Sequence, residues 1–324
     1  MRTRLLIPVL AVLLLVAACT PTVKKPDITT SFIGGNAGVN LGLVDGVPPA
    51  AVYDGKRMDF SIAAALQNVG EADVGPGTDN PFARVTLEGF LPAAFGLTPA
   101  QMYKDLDQPL LGSHKLLDGS ILPGQLNRVI FEQLNYQERL EGNRVYTFLI
   151  NFCYDYENLA TVPICFKDDV LESVQDALIC TLTGEKVPQN SGGPLHATSL
   201  VQNPLAPYKV MVNFIVEHVG TGDFYGRTAD ETCDPSVQNT NKYKVDVKVS
   251  SESPTTQISC SQLGGDAQGT ITLFQDAPMT VTCTLTGDPN IATRIYTELL
   301  TIDLKYRYGE AVAQPIVIQA VGNR

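Results

Sequence analysis

The sequence predicts an all-β fold made of two tandem antiparallel β-sandwich domains. Apolar and aromatic residues occupy every second position from Tyr146 to Tyr156, a period typical of a half-buried strand. Gly-, Pro- and Asn-rich breaks such as residues 75–81 and 287–290 separate short strands of this kind. The third observation is an internal repeat of domain size. Short strands with frequent turns, present in two copies, indicate paired antiparallel sandwiches.

The N-terminus predicts export and a lipid anchor. Arg2 and Arg4 precede an apolar run over residues 5–18, which ends in Val-Ala-Ala before Cys19. A basic start, a short apolar core and small residues at the exit define a secretory signal, and this ending resembles the prokaryotic lipobox. We therefore expect residues 1–18 to be removed, Cys19 to carry lipid and residues 19–49 to form a tether and leading segment. An ordinary signal peptide and an uncleaved anchor are the alternatives, and both place the chain on the same side of the membrane.

Three blocks of the chain recur at an offset of 150–152 residues. Each block keeps the phase of its apolar positions, so two copies of one domain explain the pattern better than chance does. The matched segments are Phe60–Gly70 with Val210–Gly220, Leu122–Leu134 with Leu273–Leu285, and Tyr154–Ile164 with Tyr306–Ile316. We therefore predict domains at residues 50–187 and 200–324, with a linker at 188–199.

The first copy also carries its own long segment, Gly89–Gly119. Within it, Thr98 and Pro99 predict the cap and first turn of a helix that extends to Asp105. A segment that lines a cleft against the second domain would favour ligand binding. One that covers a sheet edge would favour a scaffold.

Six cysteines remain once Cys19 is lipidated, and an even number in an exported chain predicts up to three disulfides. We expect residues 148–166 to form a hairpin that turns at 157–161 and brings Cys153 opposite Cys165. A second pair within the second domain and a third by elimination complete the set. The predicted pairs are Cys153–Cys165, Cys260–Cys283 and Cys180–Cys233. The long spacings, without C-x₂-C or a nearby histidine, argue against a zinc site.

Composition and motifs argue against nucleic-acid binding and catalysis. Removal of Arg2 and Arg4 takes the formal net charge from −11 to −13, whereas phosphate binding needs clustered basic residues. There is no G-x-S-x-G, Walker A, G-x-G-x-x-G, H-E-x-x-H or EF-hand motif. His114, His196 and His218 are far apart, and His218 matches Asn68 at a strand end, which favours a turn role. We expect no enzyme activity and no cofactor.

Two further groups of residues are candidates for binding sites. Acidic pairs can supply oxygen ligands to calcium, although solvated loop carboxylates are the favoured interpretation. The pairs are Asp168–Asp169, Asp230–Glu231 and Asp105 with Asp107. Tyr154, Tyr156, Tyr306 and Tyr308 share the phase of the core residues, which predicts packing with their hydroxyls near the rim of the domain.

The order of several short motifs resembles known surface modules. An alternating strand ending in Asn-x-Gly, then Leu-Pro-Gly, then a long Tyr-containing strand resembles CARDB-like and related Ig-like modules of prokaryotic surface proteins, over most of residues 50–170 and 200–322. A narrower set of motifs resembles envelope lipoproteins of small-genome archaea. These are Gly34-Gly35, Pro48-Pro49, Cys153-Tyr-x-Tyr with Cys165, and Ser191-Gly192-Gly193-Pro194. The resemblance implies Ig-like folds and a cell-envelope location, and it assigns no site residues.

The sequence thus predicts a non-catalytic, membrane-anchored envelope lipoprotein, on the cell surface or in the periplasm. Its expected role is structural, adhesive or protein-binding, with a protein partner in the envelope, because edge strands can recruit a partner strand. One alternative is a lipoprotein that hands a solute or peptide to a membrane complex, which needs a deep pocket. A calcium-dependent hydrolase is a remote third possibility.

Overall fold

The computed structural model describes residues 32–171, 176–228, 232–236, 238–291 and 294–322. The expected signal peptide, Cys19 and the first part of the tether lie outside the described residues. Within the described ranges, no helix has the length and apolar character needed to cross a membrane.

The described chain is built from strands and short turns, and these ranges contain no α-helix. Nineteen strands occur in chain order: β1 Val39–Leu43, β2 Ala51–Tyr53, β3 Phe60–Asn68, β4 Ala83–Glu88, β5 Tyr103–Asp105, β6 His114–Lys115, β7 Ile121–Leu122, β8 Leu126–Leu134, β9 Arg144–Lys167, β10 Gly184–Lys186, β11 Gln189–Asn190, β12 Leu195–Ala206, β13 Lys209–His218, β14 Asp223–Tyr225, β15 Lys244–Ser251, β16 Gln257–Cys260, β17 Gln268–Thr272, β18 Met279–Thr286 and β19 Ile295–Gln319. Five 3-10 turns connect them: Pro92–Phe95, Pro99–Gln101, Asp176–Leu178, Ser261–Leu263 and Phe274–Asp276.

The strands form one long sheet, two smaller sheets and a hairpin. The long sheet has the order β17-β15-β19-β9-β4-β5, with β2, β11 and β14 attached at its sides. The smaller sheets have the orders β1-β3-β8 and β10-β12-β13-β18-β16, and β6 pairs with β7. All pairings between these strands are antiparallel except β2 with β19. The predicted all-β class with antiparallel sheets is confirmed.

The repeat in the sequence corresponds to a repeat of strands. We call β1–β9 the first copy and β10–β19 the second copy. In the smaller sheets, β1-β3-β8 of the first copy matches β12-β13-β18 of the second, and in the long sheet β4 and β9 match β15 and β19. The segment before each first strand is also held alike. Val69 and Gly70 donate their N–H groups to Gly38 O, as Val219 and Gly220 do to Pro194 O.

Part of the predicted linker and part of the leading segment are therefore strand. β11 and the start of β12 lie within residues 188–199, and β1 lies within residues 19–49. These segments supply the strands that each copy needs beside β3 or β13. Residues 31–324 form one compact unit, in which the predicted domains 50–187 and 200–324 share the long sheet. The division into two domains stays a prediction.

The two copies join along β9 and β19, which pair from Arg144 to Lys167. In this register Tyr154 lies opposite Tyr308 and Tyr156 lies opposite Tyr306, while Asp155 lies opposite Arg307. Residues 155 and 307 are themselves equivalent in the repeat. A pseudo-two-fold axis therefore passes between them and relates the copies.

Both smaller sheets pack on the same face of the long sheet. Phe60 of β3 meets Phe148 of β9 edge-to-face, with ring centroids 6.2 Å apart. Ten residues further along β9, Asn158 Oδ1 accepts the N–H of Leu195 at 3.4 Å. Even-numbered residues of one strand share a face. The molecule is thus two β-sandwich halves on one continuous sheet.

Two local predictions are wrong. The hairpin expected within residues 148–166 does not form, because β9 continues through 157–161 and pairs with β19. The helix expected over 98–105 is reduced to the 3-10 turn Pro99–Gln101, where the N–H of Thr98 donates to Gln101 Oε1 at 2.9 Å. After this turn the chain is drawn into β5, which pairs with the edge of β4.

Candidate functional site

The six cysteines form three disulfides, but two of the predicted pairs are wrong. Cys260 pairs with Cys283 as expected. Cys153 and Cys165 lie 12 residues apart on one strand, a separation of roughly 40 Å at about 3.3 Å per residue, so they cannot bond. Cys153 pairs instead with Cys233, and Cys165 pairs with Cys180. The predicted Cys180–Cys233 pair is therefore wrong as well, because each of these cysteines bonds to another partner.

The acidic pairs considered for calcium have other partners. Asp168 accepts a 2.7 Å hydrogen bond from Arg294 Nε, and Asp169 accepts the N–H of Leu171. Asp105 forms an ion pair with Arg84 at 2.6 Å. Asp230 and Glu231 lie outside the described residues. Across the part of the chain that is described, no group of three His, Cys, Asp or Glu side chains is arranged to hold a metal ion.

His218 has a structural setting at the end of β13. Its Nδ1 lies 3.0 Å from Asp276 Oδ1, and its Nε2 lies 3.3 Å from Tyr308 Oη. Burial raises the pKa of Tyr308 far above its usual value, and the Tyr308 hydroxyl already accepts the N–H of Gly222 at 2.6 Å. Burial therefore favours the protonated hydroxyl, and the three side chains link the end of β13 and the turn Phe274–Asp276 to β19.

The other predicted site residues are dispersed. His196 contacts Gly35 O through Nε2 at 3.2 Å, and His114 lies exposed on β6. Ser113 accepts the N–H of Gly124 at 3.0 Å and thereby closes the base of the β6–β7 hairpin. The three histidines and Ser113 therefore do not converge.

Four tyrosines form a buried cluster at the pseudo-two-fold axis. Neighbouring ring centroids are 5.8–6.3 Å apart around the set Tyr154, Tyr156, Tyr306 and Tyr308. All four side chains are fully buried, so the prediction of hydroxyls at the rim is wrong. The hydroxyls instead have partners inside the protein: Tyr156 donates to Gly192 O at 2.9 Å, Tyr306 donates to Asn158 on β9, and Tyr154 accepts the N–H of Val39 on β1.

On the opposite face, the axis carries a buried ion pair. Arg307 Nε donates to Asp155 Oδ1 at 2.9 Å, and both side chains are more than nine-tenths buried. The guanidinium also lies over the Phe82 ring, 4.3 Å from its centroid. Identical residues here would place like charges together, so this position distinguishes the two copies.

The two copies differ most at the edges of their smaller sheets. In the second copy, β16 pairs with β18 along one edge, and the Cys260–Cys283 disulfide fixes it there. In the first copy, β8 is the edge strand and no described strand pairs with its outer side. Only the end of β8 is extended, where Asn135 and Gln137 donate their N–H groups to Phe95 O and Ala94 O.

The backbone of β8 directs hydrogen-bonding groups outward from Leu126 to Ile130. The N–H of Asn68 donates to Gln125 O at 3.0 Å. Successive residues of a strand direct their backbone groups to opposite sides, so this bond determines which residues of β8 face β3. Asn127 and Val129 then bond to β3, whereas Leu126, Arg128 and Ile130 point their N–H and C=O groups away. Lys104 Nζ caps one of these groups, Ile130 O, at 2.7 Å.

Exposed apolar side chains surround this edge. They lie on the β6–β7 hairpin and on the outer face of β8: Leu116, Leu117, Ile121, Leu122, Leu126 and Ile130. Asp-Gly in the hairpin loop, flanked by leucine and isoleucine, is the sequence signal that could have predicted this projection.

The long first-copy segment, Gly89–Gly119, mainly completes the first copy. Phe95 fills the core against Phe148, with ring centroids 4.9 Å apart, and β5 covers the edge of β4. Tyr103 also lines an open cleft with Cys233 and neighbouring residues of the second copy. The cleft has a volume of about 400 Å³, and the Arg84 guanidinium in it is engaged by Asp105.

Glu71 fixes the beginning of the described chain. Its carboxylate accepts the N–H groups of Ile33 at 3.0 Å, Gly34 at 3.1 Å and Gly192 at 2.7 Å. One side chain thus ties the segment that follows the tether to the segment that begins the second copy. The Glu71 carboxylate therefore lies at the boundary between the copies.

Comparison with known proteins gives no family for this chain: no protein-family model matches it, and no curated protein is significantly similar to it.

Proposed function

We propose that the protein is a non-catalytic, lipid-anchored module of the cell envelope that binds an extended segment of a partner protein. The segment would pair with the open edge of β8 by strand addition. The observation that carries this proposal is the difference between β8 and β18, because the equivalent edge of the second copy is occupied by β16.

The chemistry of the edge defines the partner. Outward backbone groups at Leu126, Arg128 and Ile130 supply the hydrogen bonds, and the alternating side chains of a partner strand would lie beside Leu126 and Ile130. Lys104 caps Ile130 O and guards the edge against indiscriminate pairing, a common use of lysine at edge strands. A partner strand must displace its ammonium group.

The location of the protein supports the proposal. Three disulfides fit a compartment outside the cytoplasm, where such bonds persist. Lipidation of Cys19 would hold the module at the membrane, and the resemblance to Ig-like surface modules agrees with a binding role. The ligand-delivery alternative has less support, because the Arg84 guanidinium in the cleft at Tyr103 is already engaged by Asp105.

Site-specific photo-crosslinking in intact envelopes tests the edge. A photoreactive residue in place of Ile130 is expected to give one defined protein adduct, and the same residue in place of the exposed Leu205 of β12 is expected to give none. Equal crosslinking at both positions, or none at Ile130, would overturn the proposal.

A pair of proline variants refines this test. Arg128→Pro removes an outward N–H that β3 does not use, and edge strands tolerate proline at such positions. It should abolish the adduct while the protein stays folded. Asn127→Pro removes a β3–β8 hydrogen bond and should lower the free energy of unfolding instead.

A further inference from the structure

The β6–β7 hairpin is an apolar projection of the first copy. Leu117 at its tip is fully exposed, and Leu116, Ile121 and Leu122 are each about half exposed. The loop is ordered, because the N–H of Leu116 donates to Ser120 O at 2.8 Å and Asp118 Oδ1 accepts the Ser120 N–H at 2.9 Å. An ordered loop therefore holds four large apolar side chains in solvent.

The second copy has no such hairpin. Its chain passes from the end of β17 at Thr272 to the start of β18 at Met279 through one 3-10 turn, with Phe274 exposed. The second copy thus connects the matching strands without a projecting loop. The β6–β7 hairpin is therefore an addition to the first copy.

The base of the hairpin is bonded to the segment where the described chain begins. The N–H of Ser113 donates to Gly70 O at 2.7 Å, and the N–H of Gly112 donates to Asp73 Oδ1 at 2.7 Å. Between these two acceptors, Glu71 holds the N–H groups of Ile33 and Gly34. Phe32, Ser113 and Lys115 line one cleft. The hairpin and the beginning of the described chain therefore lie close together, at the boundary between the copies.

The covalent chain limits how far this region can lie from a lipid on Cys19. Twelve residues separate Cys19 from Phe32. The thirteen steps from Cys19 to Phe32 can cover at most roughly 45 Å at full extension. The hairpin can therefore reach the membrane surface if Cys19 is lipidated, and this step depends on the proposed function.

We infer that the hairpin is a membrane-contact loop, which inserts Leu116, Leu117, Ile121 and Leu122 into the lipid interface beside the anchor. A single lipid chain gives weak, reversible attachment, and a second apolar contact strengthens it. The charges agree with this contact. Lys115 and Asp118 give the hairpin no net formal charge in a chain of −11, so the hairpin itself adds no repulsion from anionic lipid.

The contact has a structural consequence for the binding edge. β8 follows the hairpin after Pro123 and Gly124, and Gln125 is bonded to Leu111 at the hairpin base. Fixing the hairpin at the membrane holds the open edge close to the lipid surface. A partner strand would then come from the membrane-proximal part of another envelope protein.

The chain contains no tryptophan, which allows a direct test with Leu117→Trp in the full-length lipoprotein. The protein is reconstituted into vesicles of mixed neutral and anionic phospholipid and recovered by flotation. Insertion predicts a blue-shifted emission that bromine-labelled acyl chains quench. Phe274→Trp is the control, because this exposed position lies in the connection that stands in the second copy where the first has the hairpin; its emission should be unshifted and unquenched.

The outcomes separate the two claims. Flotation that survives Cys19→Ser combined with Leu116→Ser and Leu117→Ser contradicts the lipid anchor. Failure of the native protein to float removes the anchor and this inference together. Flotation with solvent-like emission at position 117 overturns the hairpin contact alone, as does a protein adduct there without lipid quenching.

Discussion

The two copies use the same strands but close their smaller sheets differently. The second copy adds β10 outside β12 and β16 outside β18, and a disulfide fixes β16. The first copy adds neither strand, and β1 and β8 are its edges. An unpaired edge strand can form hydrogen bonds with a strand of another chain, and natural sheets normally protect such edges. Under the proposed function the copies divide their roles: the second copy stabilises the molecule, and the first copy contacts the partner.

The largest expected effect concerns the ion pair that joins the copies. Arg307→Met leaves Asp155 buried without its partner, which we expect to lower the free energy of unfolding by about 4 kcal/mol. Denaturant unfolding measures the loss. Arg84→Met is the control, because its ion pair with Asp105 is partly exposed and contributes less than about 1 kcal/mol.

A charge exchange tests whether positions 155 and 307 are equivalent. Asp155→Arg alone places two cations at the axis and should prevent folding. The double variant Asp155→Arg with Arg307→Asp should recover a substantial part of the stability, since the two positions are related by the pseudo-two-fold axis. No recovery would contradict the equivalence.

Removal of the disulfide that holds β16 should make the second copy resemble the first. Cys260→Ala with Cys283→Ala opens a loop with a sequence separation of 23 residues, which we expect to cost about 3 kcal/mol. Hydrogen exchange should become faster in β16 and stay unchanged in β8. Unchanged exchange in β16 would mean that the disulfide does not protect this edge.

Glu71 distinguishes the copies at their boundary, because Thr221 occupies the matching position. Glu71→Ala removes three hydrogen bonds to a carboxylate, and we expect a loss of about 2 kcal/mol together with faster exchange at Ile33 and Gly34. Thr221→Ala should have little effect on either measurement. Equal effects of the two variants would contradict the asymmetry.

The smallest expected effect is a pH dependence at Glu310, which matches Asn158 of the first copy. Burial raises the pKa of Glu310 above its usual value. An acid with a raised folded-state pKa binds its proton more tightly in the folded protein. The wild type therefore loses stability as the pH rises through the interval between the usual pKa and the raised one.

Glu310→Gln lacks this titration. It should be more stable than the wild type at neutral pH and equal to it at a pH below the usual glutamate range. Urea unfolding over a pH series measures the difference. A constant difference at every pH would contradict burial as its cause.

Strand character and repetition could be predicted because they depend on local periodicity. The predicted turn at residues 157–161 is wrong, because the polar residues there belong to a continuous strand. The buried phase in fact continues unbroken through Tyr156, Asn158, Ala160 and Val162. Asn158 is tolerated there because it accepts a hydrogen bond from the Tyr306 hydroxyl, a partner 148 residues away. A partner so distant leaves no local signal.

Two of the disulfides and the open edge of β8 could not be predicted, because each depends on how distant parts of the chain pack together. Cys260–Cys283 could be predicted because both cysteines belong to neighbouring strands of one copy. Cys153–Cys233 depends on the packing of a second-copy loop over the long sheet, which spacing does not encode. Whether β8 is open depends likewise on the absence of a β16 equivalent from the first copy's described strands, a property of the whole sheet.

Amide hydrogen exchange on β8 tests the account most directly. The native protein is compared in isolated envelopes and after purification in detergent. The outward N–H groups of Arg128 and Ile130 should exchange slowly in envelopes and rapidly once purified, whereas β18 should exchange slowly in both. Equal exchange of β8 in the two preparations would contradict the claim that a partner strand occupies the open edge of the first copy.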